Sequence, residues 1–350
     1  MNISDSDSNS VSIERVVSLG ENEEDLIQRQ EPSLRPMSFD DYPGQERAKD
    51  NLKVYVGAAK KNDRVLDHVI LHGPPGLGKT TLARIIANDL GSSFHQTSGP
   101  AIDKPGDLAG ILAGLEAGSI LFIDEIHRLS IAVEEVLYSA MEDFFVDILV
   151  GQGPTARALK MPINPFTLVG ATTKMSLLSG PFMSRFGIQE RLEFYDKNSL
   201  AEILKRSAHL TNIAITDTAA AELAQRSRGT PRVANRFLRR ARDFADFHDR
   251  SGLDFESVSI TLDRLGVDSA GLDQMDRRLL VTIRDRYDGG PVGVETLAAT
   301  VGEERSTVED VYEPYLLHLG FLKRGPRGRE ITDLGYQHLN NIETVVRDNS

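Results

Sequence analysis

Gly73-Pro74-Pro75-Gly76-Leu77-Gly78-Lys79-Thr80 carries the clearest chemical signal in the chain. It matches G-x-x-x-x-G-K-[ST], a loop whose glycines let backbone N–H groups cradle phosphates. Lys79 then reaches the β- and γ-phosphates of a nucleoside triphosphate, and the Thr80 hydroxyl ligates Mg²⁺. A chance glycine turn is the alternative reading. It is set aside because an apolar run, His68-Val69-Ile70-Leu71, precedes the loop, and a helix-spaced segment, Thr80 to Leu90 with Gly91 as its stop, follows.

Four further positions fit triphosphate hydrolysis. Asp124-Glu125 closes the apolar run Ile120–Ile123, where open α/β sheets bind ligands. Asp124 is expected to hold Mg²⁺ through water and Glu125 to polarise the attacking water. Thr172 ends the strand Phe166–Ala171 and would contact the γ-phosphate or position the water, although a strand-end Thr that only satisfies backbone is the default. Arg185, in Ser184-Arg185-Phe186-Gly187, would complete a neighbouring subunit's site, because charge spreads over the γ-phosphoryl oxygens in the transition state. Arg232, Arg236 and Arg240 share one helix face opposite Phe237. Most of that stripe reads as solvated surface, with Arg232 the exception nearest the cleft.

The elements that must position these groups fall into blocks. Apolar runs without alternation at 68–71, 120–123 and 166–169 predict a parallel sheet covered on both faces, over residues 32–188. Residues 189–262 read as helices: Ser199–Leu210, Thr218–Arg226, and one opening at Thr230-Pro231 with Thr as N-cap. Residues 267–340 read as helices over Asp276–Tyr287, Val294–Ala299 and Ser306–Leu319, with Pro314 kinking or splitting the last. A hairpin tipped by Lys323, Arg324, Arg327 and Arg329 follows. The expected fold is thus an α/β P-loop domain with a parallel sheet, an all-α lid and a C-terminal winged helix.

Composition narrows the class. The 350 residues include no cysteine, which excludes a disulfide framework, a thiol nucleophile, cysteine-ligated zinc and iron–sulfur clusters. His spacing offers no zinc site. No apolar run is long enough to span a membrane, and with no signal pattern at the N-terminus a cytoplasmic protein is expected. The net charge of −12 argues against nucleic acid at first sight. Residues 1–31 alone carry half of it and read as a disordered acidic extension, so local patches outweigh the total.

Leu34-Arg35-Pro36, Gly73–Thr80, Phe122–Arg128, Gly170-Ala171-Thr172-Thr173, Arg185–Ile188, Arg226–Arg232 and Pro326-Arg327-Gly328-Arg329 together resemble the RuvB family, AAA+ motors of Holliday junction branch migration. The similarity runs from about 32 to 340. It implies an ATP- and Mg²⁺-dependent DNA helicase of recombination, repair and the SOS response, built as a hexameric ring. Its partners would be double-stranded DNA at Holliday junctions, a RuvA-like protein and, further, a RuvC-like resolvase. The resemblance places Leu34, Arg35 and Tyr195 beside Gly76, Lys79, Thr80 and Thr81 around the nucleotide. It makes Arg185 a trans-acting finger and Arg232 the lid sensor, and brings the backbone at Glu142, Asp143 and Phe144 near nucleotide. Arg305, Arg324 and Arg329 match positions that touch DNA phosphate. Three departures are His72 for Tyr, Lys174 for Arg and Gly325 for Thr; none removes a catalytic group.

Residues 144–164 read as a β-hairpin with a turn at Gly151-Gln152-Gly153-Pro154. Its apolar residues are core by default; by resemblance, the tip around Ile148 and Leu149 grips the RuvA-like partner. The wing's cations would be solvated surface in isolation, but after a three-helix unit they fit phosphate contact without base readout. An AAA+ chaperone or clamp-loader-like switch shares the hydrolytic residues and differs by lacking the basic wing. A non-catalytic winged-helix regulator would leave Glu125, Thr172 and Arg185 without work.

Overall fold

A computed structural model describes residues 34–150 and 157–348. The acidic extension and the Gly151–Pro154 turn therefore lie outside the described residues. The chain forms two compact units. Among the described residues, the first holds 34–73 and Gly78–Glu193; the second holds 194–348 together with Pro74–Leu77.

The first unit is built on five parallel strands: β1 (Val69–His72), β2 (Phe94–Ser98), β3 (Ile120–Asp124), β6 (Thr167–Thr172) and β7 (Ile188–Arg191), in the order β2-β3-β6-β1-β7. The runs read as strands covered on both faces are so: β1 is buried until His72, β3 until Asp124, and β6 throughout. Edge strand β7 alternates buried and exposed residues instead. Register aligns the functional ends, with His72 opposite Thr172 and Ile123 opposite Gly170. Helices α1 (Glu46–Lys61), α2 (Lys79–Leu90), α3 (Pro105–Ala113), α4 (Ile131–Asp143) and the short α5 (Gly180–Met183) complete the unit. α2 stops at Gly91, in the left-handed conformation, as its sequence predicts. Strands β4 (Phe145–Val150) and β5 (Arg157–Pro162) form the antiparallel hairpin, pairing Phe145 with Pro162; Val146 is buried under it. The side chains of Ile148 and Leu149 lie outside the described set.

The second unit carries a helical lid and a winged-helix head. The lid is α6 (Lys197–Leu210), α7 (Asp217–Arg226), α8 (Pro231–Phe247) and α9 (Phe255–Arg264). Thr230 does stand at the N-cap of α8 and Pro231 opens the helix, but the Thr230 hydroxyl donates to the Ser227 carbonyl at 3.4 Å rather than capping. The head comprises α10 (Gln274–Arg286), α11 (Val294–Val301), α12 (Arg305–Thr307), α13 (Glu313–His318), the wing strands β8 (Leu322–Gly325) and β9 (Gly328–Ile331), and α14 (Asp333–Asp348). The helix expected over 306–319, with a kink or split at Pro314, is split. A π-helical turn, Val308–Tyr312, separates α12 from α13 just before Pro314, whose ring and missing N–H disrupt the regular ladder. Among the described residues no helix is long and apolar enough to cross a membrane.

One half-buried histidine ties the sheet to α4. His68 Nδ1 accepts from the Leu168 N–H at 2.9 Å, so Nε2 carries the proton and donates to the Met141 carbonyl at 3.1 Å. Burial pushes its pKa below the ordinary 6.5. The folded state therefore binds this proton less readily than the unfolded one, and the stabilisation is lost as pH falls below about 6.5. We expect the urea midpoint of the wild type to fall between pH 7.5 and 5.5, and the His68→Asn variant to be weaker at pH 7.5 with a flatter profile. An identical slope in the variant would refute the assignment.

Candidate active site and nucleic-acid interface

The phosphate loop is shaped by contacts that only glycine permits at its start. Gly73 has φ 146°, and a Cβ there would lie 2.4 Å from the Leu192 carbonyl oxygen. The Gly73 N–H donates to the Thr172 carbonyl, binding the loop to the end of β6. Lys79 is buried and its Nζ donates to the Gly73 carbonyl at 2.8 Å, spanning the loop. The N-cap of α2 is Gly78, which has no side chain to cap the first turn. The N–H groups opening α2 at Lys79, Thr80 and Thr81 thus present the positive end of the helix to an anion.

Asp124 and Glu125 stand at the carboxyl end of β3. The Glu125 N–H donates to Asp124 Oδ1 at 2.9 Å, which orients the carboxylate. Glu125 itself sits at φ 48°, a left-handed turn that sends its side chain away from the strand line, and its Oε2 pairs with Arg128 at 3.0 Å. The Thr80 hydroxyl and the Asp124 carboxylate are the hard oxygen donors that magnesium takes, so the residues present fit that ion. Thr172 is buried. Its Oγ1 accepts from the Lys174 N–H at 2.9 Å and meets His127 Nδ1 at 3.0 Å. His127 was not legible as a site residue; its place directly after Asp124-Glu125-Ile126 was the available signal.

Within the second unit, two predicted residues rest on the middle of the loop. The Tyr195 hydroxyl donates to the Leu77 carbonyl at 3.2 Å, and the Arg232 N–H approaches the Gly76 carbonyl at 3.4 Å. Leu34 and Arg35 are half-buried where the described chain begins. Arg185 joins a different group. Its guanidinium donates to the Tyr138 hydroxyl, stacks over that ring at 4.2 Å and pairs with Glu142 at 2.6 Å. It is thereby brought to the end of α4, beside Asp143 and Phe144, rather than to the phosphate loop. Sequence reading missed Tyr138, which lies one helical turn before Glu142.

The three arginines predicted to touch DNA differ in kind. Arg305 and Arg324 are exposed, and Arg305 pairs with Glu295 at 2.7 Å and Glu309 at 3.1 Å. Arg324 is 56% exposed, with Glu309 and Glu313 at 3.7 and 3.9 Å. Arg329 is only 7% exposed, and its guanidinium is held by Glu313 and by Glu309 at 3.0 Å. Burial raises the Glu309 pKa, but the hydrogen bonds and charges of Arg305 and Arg329 outweigh it, so the carboxyl titrates below its ordinary range. Arg329 therefore braces the wing against the head, while Lys323, Arg324 and Arg327 face outward.

The comparisons with known proteins agree along most of the chain. Residues 34–192 match the Holliday junction DNA helicase RuvB P-loop domain, 195–268 the RuvB AAA lid domain, and 269–340 the RuvB C-terminal winged helix domain. The Holliday junction branch migration complex subunit RuvB of Ligilactobacillus salivarius is 56% identical over 309 residues, covering 88% of this chain and 92% of that protein. Its counterpart in Myxococcus xanthus is 58% identical over 310 residues, covering 89% and 90%. The solved Thermotoga maritima RuvB Holliday junction branch migration motor superposes with a TM-score of 0.80 at 51% identity, covering 88% of this chain and 98% of that one.

Two substitution pairs test the site. Glu125→Gln should lower turnover by about 10²–10⁴-fold, the range for removing a general base, with ATP binding within a few fold, whereas Lys79→Ala should lose binding itself; a fluorescent-nucleotide titration separates them. In the wing, Arg324→Ala should leave stability unchanged and reduce the salt slope of DNA binding by about 1. Arg329→Ala should instead lower the head's stability by about 3–5 kcal/mol, because it leaves the buried Glu313 with only the exposed Arg324, 3.9 Å away, as counter-charge. Equal thermal midpoints for the two variants would overturn the distinction.

Proposed function

The chain belongs to the RuvB family, and from that premise we propose that it is an ATP-driven DNA motor that moves Holliday junction branch points with a RuvA-like partner. The observation that carries this reading is one chain holding both the hydrolytic set of Lys79, Thr80, Asp124, Glu125 and Thr172 and a winged helix with outward cations. A chaperone-like AAA+ protein has no use for such a wing, and a passive regulator has none for Glu125.

In this reading Lys79 and the N–H groups of α2 hold the β- and γ-phosphates. Thr80 and Asp124 hold magnesium, which supplies neutralisation of charge on the phosphate oxygens. Glu125 exchanges Arg128 for the attacking water and polarises it, with Thr172 positioning the same water. Leu34, Arg35, Gly76, Thr81 and Tyr195 receive the rest of the nucleotide, and Arg232 reads its terminal phosphate. Arg185, presented by Tyr138 on α4 beside Glu142, Asp143 and Phe144, serves the site of an adjacent subunit, which is why it sits apart from its own phosphate loop. Arg324 and Arg305 contact backbone phosphate, an interaction that carries no sequence information and suits travel along any duplex.

The proposal extends to a hexameric ring, to a RuvC-like resolvase as a later partner and to a cytoplasmic protein; the separate placement of Arg185 supports the ring. The hairpin β4–β5 is the proposed grip for the RuvA-like protein. Residues 32–188, 189–262 and 267–340 are the proposed ATPase, lid and head, with 1–31 as an acidic extension.

One experiment covers the central claims. Lys79→Ala and Arg185→Ala proteins are mixed and assayed for ATPase with duplex DNA, and the wild type is assayed on a synthetic four-way junction with a RuvA-like protein. Mixing should restore activity above either variant alone, since some interfaces then pair an intact loop with an intact finger. No recovery would remove the shared site, and no ATP-dependent branch movement would remove the motor.

A further inference from the structure

Arg226 and Arg228 stand two residues apart in the turn that leads to Arg232, yet they do different things. Arg226 closes on the lid itself: it pairs with Glu222 and Asp263, both at 2.7 Å, and donates to the Val267 carbonyl. Arg228 leaves the lid. Its guanidinium pairs with Asp276 at 2.9 Å and Asp273 at 3.2 Å, and lies 5.2 Å from the centre of the Tyr315 ring. All three partners belong to the head. Arg228 is 12% exposed and Asp276 fully buried.

The backbone is bent to deliver this contact. Arg228 has φ 55° and Gly229 φ 65°, two left-handed residues in succession, a conformation that a residue bearing a Cβ adopts only under constraint. A Cβ at Gly229 would lie 2.8 Å from that of Phe194. Phe194 in turn packs edge-on against Tyr315 and at 4.6 Å against His318.

Both ends of this turn meet functional groups. On one side, the Gly229 carbonyl accepts from the Tyr195 N–H at 2.8 Å, Tyr195 reaches Leu77, and Arg232 lies on Gly76. On the other, Asp273 caps the first turn of α10 through the Met275 and Asp276 N–H groups, and Tyr315 shares α13 with Glu313, the residue that holds Arg329 at the base of the wing. The middle of the phosphate loop and the base of the wing are thereby connected through packed and hydrogen-bonded groups of one compact unit.

We propose that Arg228 is a positioning residue that transmits the state of the nucleotide-sensing turn to the DNA-contacting head, by gripping Asp273 and Asp276 at the start of α10 and the face of Tyr315. A shift of Arg232 toward or away from a terminal phosphate must move residues 228–230, and the bidentate guanidinium then pulls α10 and α13 together instead of letting the head lag. A guanidinium suits this task because it spans two carboxylates and stacks on a ring at once, which an ammonium cannot do. Asp276 is a demanding partner: burial raises its pKa to about 7 against the opposing effect of Arg228, so its charge depends on the arginine staying in place. A brace serving the lid alone would resemble Arg226; Arg228 spends its donors on the head.

This inference rests on the reading of the chain as a DNA-stimulated ATPase, and the test keeps the two apart. Full-length wild type, Arg228→Ala and Arg228→Lys are compared for ATPase without DNA, for duplex affinity at fixed salt, and for ATPase with saturating duplex. Basal turnover and DNA affinity should stay within about threefold in both variants. DNA stimulation should fall at least tenfold in Arg228→Ala and by an intermediate factor in Arg228→Lys, which keeps the charge but not the two-carboxylate span. If Arg228→Ala does not fold, a reduced stimulation ratio in Arg228→Lys carries the proposal and an unchanged one overturns it. Basal and stimulated rates falling by the same factor would mean a merely structural lid contact and would also overturn it. Wild type without any DNA stimulation would overturn the motor reading and the coupling with it; intact stimulation in all three proteins overturns the coupling alone.

Discussion

The phosphate loop is held in shape by its own glycines and by Lys79, and this constraint governs the rest. Gly73 and Lys79 belong to the sheet unit, joined by the Lys79 ammonium on the Gly73 carbonyl, while Pro74–Leu77 pack as part of the unit that carries the lid and head. The glycines make that shape possible: with a Cβ, Gly73 would collide with Leu192 and the strand could not turn into α2 at that point. Interfaces and packed segments have discrete arrangements rather than continuous compliance, which is how small displacements at a site become large ones elsewhere.

The residues proposed for hydrolysis stand out in the sequence because their chemistry constrains both type and spacing. A loop that wraps phosphate admits few sequences, and an acidic pair at the end of an apolar strand has few other reasons to exist. The wing was legible as a charge pattern but not residue by residue. Lys323, Arg324, Arg327 and Arg329 read alike in one dimension; only the approach of Glu309 and Glu313 separates Arg329, buried and paired, from its neighbours. Glu309 lies in the π-helical turn at 308–312 and Glu313 directly after it, next to Pro314, where a kink or split was expected. Thr230 shows the complementary limit. Its place at a helix start was evident, while the partner of its hydroxyl depended on a turn that doubles back to Ser227.

Trans-acting residues are harder for a related reason. Arg185 is proposed to act on another copy, and its neighbours in the sequence say little about that role. In the fold it rests on Tyr138 and Glu142, groups that hold a cation by ring face and carboxylate together. Such a seat keeps a guanidinium oriented without neutralising it by a second carboxylate, and the exposed half of Glu142 leaves the charge able to exchange partners. Arg226, enclosed by Glu222 and Asp263 and a carbonyl, has the opposite character and is suited to holding still.

The same contrast explains why the chain spends buried charge where it does. A buried ion pair adds little net stability over a well-packed apolar group of equal size, because the desolvation cost offsets the attraction. Its value lies in specifying one arrangement, since separating the charges in a low dielectric is costly. Arg329 with Glu313, and Arg228 with Asp276, both join segments that apolar packing alone would allow to slide: a two-stranded wing against its helices, and a lid turn against the head. A wing proposed to grip DNA through phosphate needs a weak, releasable contact at its tip, supplied by exposed cations with carboxylates nearby, and stiff connections behind it. Placing the buried pairs behind the wing and the exposed ones on it meets both demands with the same residue types.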